Sequence, residues 1–419
     1  MRYIKRHIED AVSRAAENFK ALLLTGARQT GKSTLLKHLF DKRRYVTLDD
    51  PFLEEQAKTD GAMFLQLNEP PVIIDEAQRA TELFRYIKMA CDSSDERGLF
   101  CLSGSQQFRL MNSVSESLAG RAAIFELSTL SLREIMTDDF CDVFVPTAEY
   151  ILKRSKSAAM PNHIWKTIHR GSYPELQNEA VDWADFYGSY VKTYIERDVR
   201  ELTAVHDLNA FRRFMIAAAS RTGEILNYSK LANDVGKDIK TIKNWISVLE
   251  ASGIIFLLEP FRNSALNRVI KSPKLYFRDC GLVCYLTRWL TPETLAYGSF
   301  SGHIFETFAV SEILKSYSNA GLDYRFYVSY FHAADKMRVA DGDERLYREG
   351  EIDLILEQNG TVYPIEIKQA SRGSLSDAAA FRLFAKARGV NIGSGAIVCN
   401  CPQPAKLAEN LLQIPLWYI

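Results

Sequence analysis

A wholly apolar stretch, Ala21-Leu22-Leu23-Leu24, runs into Gly26-Ala27-Arg28-Gln29-Thr30-Gly31-Lys32-Ser33-Thr34 and on into Leu35-Leu36-Lys37-His38-Leu39. No other segment limits the fold as much. A buried strand must turn through a glycine-bearing loop into a helix, and the loop has the G-x-x-x-x-G-K-[ST] spacing of a phosphate cradle. The glycines let the backbone wind closely around an anion, and the N–H groups opening the helix point at it. Lys32 can reach β- and γ-phosphates, and the Ser33 hydroxyl can ligate Mg²⁺. ATP with Mg²⁺ is the expected ligand pair, on Gly26 through Thr34.

The length, 419 residues, exceeds one comfortable core, so about two to three domains are expected. Formal net charge is zero, so affinity for nucleic acid has to come from local patches. The N-terminus MRYIKRHIEDAV has no apolar signal core, and no run approaches about 18 apolar residues, so neither export nor membrane insertion is expected. The seven cysteines show no zinc-like layout, and reduced structural thiols in a cytoplasmic protein are their simplest reading.

After the loop, apolar segments at Tyr45–Leu48, Val72–Ile74, Leu99–Leu102 and Ala122–Leu127 alternate with helical stretches, the pattern of a parallel sheet covered on both faces. Val72-Ile73-Ile74-Asp75-Glu76 has the form of a Walker B strand. Asp75 can hold hydrated Mg²⁺, and Glu76 can polarise the attacking water. The next strand ends in Ser103-Gly104-Ser105-Gln106-Gln107, where Gln106 or Ser105 suits a γ-phosphate sensor. Arg121, following Ser117-Leu118-Ala119-Gly120, stands where an arginine finger would act on a neighbouring copy's nucleotide; the alternative is an arginine pairing with a surface carboxylate. In the order of these parts, residues 1 to about 130 resemble an AAA-type P-loop ATPase, which implies hydrolysis by Lys32, Ser33, Asp75 and Glu76 and a homo-oligomer if Arg121 works in trans. No second sensor arginine is evident in a following lid.

The middle of the chain opens on a helical, aromatic stretch, Trp183 to Leu202, with Tyr187, Tyr190 and Tyr194 in a core stripe. From Leu226 to Phe261 the sequence reads as a short helix Lys230–Val235 capped by Asn227, a turn at Gly236, a helix Asp238–Ala251 and a strand Ile254–Leu258, the winged helix-turn-helix plan. Lys240, Lys243 and Asn244 lie opposite the apolar face of the second helix, with Lys237 at the turn. They could contact DNA, or they could be plainly solvated. Arg262, Arg268, Lys271, Lys274 and Arg278 follow without an acidic residue, alongside Tyr276 and Phe277. Two readings fit: a basic nucleic-acid patch, or buried aromatics behind a solvated loop.

Near the C-terminus, Glu351 to Lys368 reads EIDLILEQNGTVYPIEIK, where Asn359-Gly360 marks a hairpin. A two-residue turn pairs Gln358 with Thr361, and so sets Asp353 opposite Glu366 and Glu351 opposite Lys368. Ile352, Leu354, Leu356, Tyr363, Ile365 and Ile367 then form an apolar face. Opposed carboxylates repel, which Mg²⁺ would relieve; a solvated polar face with Lys368 as counter-charge is the alternative. This segment resembles the PD-(D/E)XK nuclease superfamily, with Glu306 in Gly302-His303-Ile304-Phe305-Glu306-Thr307 at the helical acidic position and Asp353, Glu366 and Lys368 at the hairpin positions. The resemblance implies that Glu306, Asp353 and Glu366 hold metal and that Lys368 helps cleave a phosphodiester.

Over nearly its whole length, in GSYPEL, YIERDVREL, RTGEILNYSKLA and KSPKLYF, the chain is similar to prokaryotic AAA-family ATP-binding proteins with a C-terminal domain of unknown function. The expected architecture is α/β: a P-loop AAA-type parallel-sheet domain at 1–145, a helical and winged-helix middle at 146–265, and an α/β nuclease-like domain at 266–419. The expected activity is an ATPase coupled to DNA binding and DNA cleavage. The alternative is a nucleotide-dependent switch or assembly factor that binds DNA or a protein partner and cuts nothing.

Overall fold

The computed structural model describes residues 3–105, 117–195, 207–261, 272–333, 350–384 and 390–419. Its N-terminal third is a five-stranded parallel sheet built from β1 (Ala21–Thr25), β2 (Arg44–Thr47), β3 (Val72–Asp75), β4 (Phe100–Ser103) and β5 (Ala122–Glu126), in the spatial order β2-β3-β4-β1-β5. Helices α1 (Glu9–Asn18), α2 (Lys32–Leu39), α3 (Pro51–Thr59), α4 (Gly61–Leu67) and α5 (Leu83–Ser93) surround it. The continuous apolar run of β1 is explained by two-sided cover: Ala21 and Leu23 pack with Ile74 and Leu102, while Leu22 and Leu24 pack with Ile73, Cys101 and Val12 on the other face. The four expected strands thus form, each within a residue of its expected limits.

Short helices follow: α6 (Leu132–Ile135), α7 (Ala148–Arg154), α8 (Ile164–Arg170) and α9 (Trp183–Tyr190). The aromatic stripe is core, since Tyr187 and Tyr190 are buried; Tyr194 lies in the π-helical turn that continues α9. Then come α10 (Leu208–Ala219), α11 (Tyr228–Val235) and α12 (Ile239–Ala251), followed by a two-stranded antiparallel ribbon of β6 (Ile255–Leu258) and β7 (Lys274–Phe277). Ile225, ahead of α11, bridges Lys274 of β7. Asn227 caps α11 by accepting from the Lys230 N–H at 2.9 Å, as the sequence indicates. Ile242, Trp245, Ile246 and Leu249 are buried, and Lys240, Lys243 and Asn244 are exposed.

After α13 (Cys280–Thr287) and α14 (Pro292–Tyr297), the long helix α15 (Ser301–Asn319) is buried on nearly all sides. It packs on a mixed sheet of β8 (Val328–Ala333), β9 (Gly350–Gln358), β10 (Thr361–Lys368), β11 (Asn391–Ile392), β12 (Gly395–Cys399), β13 (Ala405–Ala408) and β14 (Leu411–Pro415). The main path is β13-β14-β12-β10-β9-β8, with β11 beside β10. One hydrophobic core runs from Leu132 to Ile419 through both the middle and the C-terminal parts. All seven cysteines are unpaired, and no helix among the described residues is long and apolar enough to cross a membrane.

Candidate functional site

Two places gather the residues singled out above. The first is the loop between β1 and α2. Gly26 has φ +138°, and a side chain there would drive its Cβ to 2.3 Å from the Leu127 carbonyl oxygen, so only glycine fits. Gly31, at φ +94°, starts α2. The loop is clamped from below: the Arg6 guanidinium donates to the carbonyls of Thr30 (2.9 Å) and Ser128 (2.7 Å) and pairs with buried Glu134. Lys32 is buried and folds back over the loop, donating to the carbonyls of Gly26 (3.0 Å) and Ala27 (2.8 Å).

Asp75 is the hub of this site. Tyr45 donates to its Oδ2 at 2.6 Å, and Ser103 and Ser33 also hydrogen-bond its carboxyl. Burial alone would push the Asp75 carboxyl up, but these donors outweigh it and hold it below the usual range. Burial, then the bond to Asp75, pushes the Tyr45 phenol well up. Ser33 and Asp75 are thus already in contact, as two ligands of one Mg²⁺ would be, and the glycine-lined cradle fits phosphate. Glu76 follows in a left-handed conformation (φ 55°), its carboxylate held by Gln78. The buried Ser105 Oγ has no partner among the described residues; Gln106 lies outside them.

Arg121 sits elsewhere. It immediately precedes β5, whose parallel register sets Ala122 beside Ala21, at the end of the sheet away from the loop. Five strand residues separate the two ends, about 16 Å. The side chain makes a two-point pair with Asp92, at 2.5 and 3.1 Å. It cannot reach its own chain's loop.

The second place is the C-terminal hairpin. Gln358 pairs with Thr361 and Leu354 with Ile365, as the two-residue turn requires. The faces differ from expectation. A bulge in β9 opposite Tyr330 shifts the register with β8, and Ile352 packs with Ile355 and Val362 rather than with Leu354 and Leu356. The sheet is covered on both sides, and Asp353 and Glu366 are buried, while Glu351 is exposed and Lys368 half-buried. Asp353 accepts from the Ile367 N–H at 2.8 Å, and Lys368 pairs with Glu366 at 2.6 Å. Glu306, on α15, accepts from the Tyr276 hydroxyl at 2.6 Å.

The residue that sequence reasoning missed is Lys274. Both readings of its stretch, the basic patch and the solvated loop, put it in solvent; instead its Nζ is buried 2.5 Å from Glu351, 3.3 Å from Glu306 and 3.7 Å from Asp353. Burial would lower its pKa, but Tyr276, Glu306, Asp353 and Glu351 outweigh that and hold it charged. Burial, then the Asp353 charge, pushes the carboxyls of Glu306 and Glu366 upward. The other residues of that stretch are described only in part. Arg278 pairs with Glu126 at 3.0 Å, Tyr276 and Phe277 are core, and Arg262, Arg268 and Lys271 lie outside the described residues. The available signal was period-two spacing: Lys274 and Tyr276 share a face of a short, otherwise apolar strand, which puts the lysine where Tyr276 points. Among the described residues no three carboxylate, histidine or cysteine side chains converge as a ready metal-binding group.

Comparison with known proteins agrees with the first site. Residues 18–136 match the family model of an AAA domain, while 162–293 and 301–419 match two domains of unknown function, DUF8612 and DUF4143. The chain is 25% identical over 378 residues to the uncharacterized protein Rv2008c of Mycobacterium tuberculosis, covering 89% of this chain and 75% of that protein. It is 24% identical over 313 residues to the uncharacterized protein MJ1637 of Methanocaldococcus jannaschii, covering 64% and 63%. Among solved structures it resembles the Walker-type ATPase PABY2304 of Pyrococcus abyssi (TM-score 0.38, 16% identity, 68% of this chain and 96% of that one). It also resembles RuvB of Thermotoga maritima (TM-score 0.28, 17% identity, 59% and 88%). The family match, together with the loop geometry, makes the N-terminal third an ATPase-like P-loop domain of the AAA type.

Proposed function

We propose that the chain is a Mg²⁺-dependent ATPase whose nucleotide state is passed to a DNA-binding middle segment and to the carboxylate cluster at the C-terminal hairpin. The observation that carries the ATPase reading is Asp75, bound at once by Ser33, Tyr45 and Ser103 beside a loop only glycine can build. Mg²⁺ would neutralise charge on the β- and γ-phosphates, held by Ser33 and Asp75. Lys32 would leave the loop carbonyls for the phosphates, and Glu76 would take the proton of the water that attacks the γ-phosphorus as ADP leaves. Arg121, turned away from its own loop, would act only on a second copy.

Coupling is supported by contact. Gly253, at the end of α12, lies so close to Ala27 in the loop that an added Cβ would sit 3.0 Å from the Ala27 nitrogen. Arg278, at the end of β7, pairs with Glu126 at the end of β5. Any shift of the loop on nucleotide binding presses on the β6–β7 ribbon. The order α10, Ile225, α11, α12, β6, β7 supports a winged helix, with Lys240, Lys243 and Asn244 free to meet phosphates or base edges.

The test is ATP hydrolysis by wild type and Glu76→Gln, with and without DNA over a salt series. Hydrolysis abolished in Glu76→Gln and stimulated by DNA in a salt-sensitive way is expected. Hydrolysis unaffected by Glu76→Gln would sink the assignment, and hydrolysis blind to DNA would leave a switch acting on a protein. That second reading, a switch without cleavage, is favoured by Lys274 in the carboxylate cluster.

A further inference from the structure

We propose that the Lys274 ammonium is a resident cation standing where the C-terminal carboxylate cluster would otherwise hold a divalent metal ion, so that removing it turns the cluster into a metal site. This rests on reading Glu306, Asp353 and Glu366 as nuclease-like. Three carboxylates from two elements, Glu306 on α15 and Glu351 and Asp353 on β9, close on one ammonium that arrives from a third element, β7. The lysine belongs neither to the hairpin nor to the helix that carry the acidic residues.

A second observation points to an incomplete ligand shell. Glu366 is 8% exposed, one of its oxygens is taken by Lys368, and the other, Oε2, is buried without a hydrogen-bond partner. A buried carboxylate oxygen left bare is costly unless something fills the gap. Mg²⁺ or Mn²⁺ could bind it together with Asp353, but the like charge of Lys274 beside Asp353 opposes a divalent ion there. Lys274 thus gives the cluster the charge balance that a metal would give, without the coordination geometry.

The test uses the full chain without nucleotide. Mn²⁺ binding and thermal unfolding would be measured for wild type, Lys274→Met, Lys274→Arg, and Lys274→Met combined with Asp353→Asn. Lys274→Met should bind Mn²⁺ about tenfold or more tightly than wild type, the size of an ordinary coupling between competing ligands. Its lowered melting temperature should rise with Mn²⁺ while that of wild type does not. Asp353→Asn should cancel both effects, and Lys274→Arg should stay blind to the ion. If Lys274→Met folds only with Mn²⁺ present, and does so only while Asp353 is intact, the inference stands; no recovery with Mn²⁺ overturns it. Equal, Asp353-dependent binding in wild type and Lys274→Met would leave a metal site but overturn the role of Lys274. Absence of Asp353-dependent binding in every variant overturns both the role of Lys274 and the nuclease-like reading of the cluster, and leaves the ATPase reading untouched.

Discussion

The two sites both bury a lysine where an ion or phosphate would be met, yet they come by it differently. Lys32 belongs to its own motif and rests on the neutral carbonyls of Gly26 and Ala27, at 3.0 and 2.8 Å. Both of these acceptors are backbone carbonyls of the loop itself, so exchanging them for the oxygens of a phosphate would leave no side-chain ion pair of theirs broken. Lys274 comes from a distant strand and is surrounded by Glu351, Glu306 and Asp353. On the proposed reading the first lysine serves the ligand, while the second is held by the fold. A shared residue type therefore predicts opposite consequences of its removal.

The largest effect expected is on stability at the second site. Lys274→Ala leaves buried carboxylates without their counter-charge and should cost about 3–5 kcal/mol in urea unfolding. A loss under about 1 kcal/mol would mean that the ion pairs are solvent-screened and the contrast is false. Lys32→Ala should reverse the balance: hydrolysis of ATP falls about 100-fold or more, as when a transition-state donor is lost, and unfolding changes by only about 1 kcal/mol.

The pH dependence separates the sites by sign. Asp75 is held below its ordinary range, so its contribution is present above the unfolded pKa and is lost as pH falls through the folded value. Glu306 and Glu366 are raised from 4.5 to about 7 and about 8, so their contribution is complete below pH 4.5 and is lost as pH rises through those values. Unfolding free energy should therefore decline through that window in wild type and decline less in Glu306→Gln. Identical slopes for the two proteins would count against a strained carboxylate cluster. The smallest effect belongs to the exposed face of α12: Lys243→Ala should leave stability within about 0.5 kcal/mol and reduce the salt slope of DNA binding by about 1. An unchanged slope would remove this face from the DNA-binding reading.

Much of this was legible in the sequence because it is local. The glycine turn, the strand ending in Asp75, the Asn227 cap and the Asn359-Gly360 register each depend on residues a few positions apart. What the sequence could not display is what separate segments bring to one point. Tyr45 holds Asp75 from a neighbouring strand, Arg6 reaches Thr30 and Ser128, and Lys274 meets Glu306 and Glu351 across 32 and 77 positions. The β9 bulge was equally hidden, since it arises from pairing with β8 and leaves no mark in the alternation of β9 itself. Counting lysines and arginines along the chain gave a patch; burial takes Lys274 out of it.

Helix α15 has a consequence for how the chain is made. Its Glu312 accepts from the Leu132 N–H, and its Lys315 donates to the Leu130 carbonyl, both at 2.8 Å and across 180 or more positions. Among the described residues, the buried side chains of the two cores around the parallel sheet all lie between Ile8 and Leu127. On a ribosome adding about 5–20 residues each second, the sheet can close early, while the segment after Leu127 waits roughly ten seconds or more for its helix. For the first part of that interval a nascent chain carries the parallel sheet and its glycine loop before β6 and β7, the strands beside that loop, have been made.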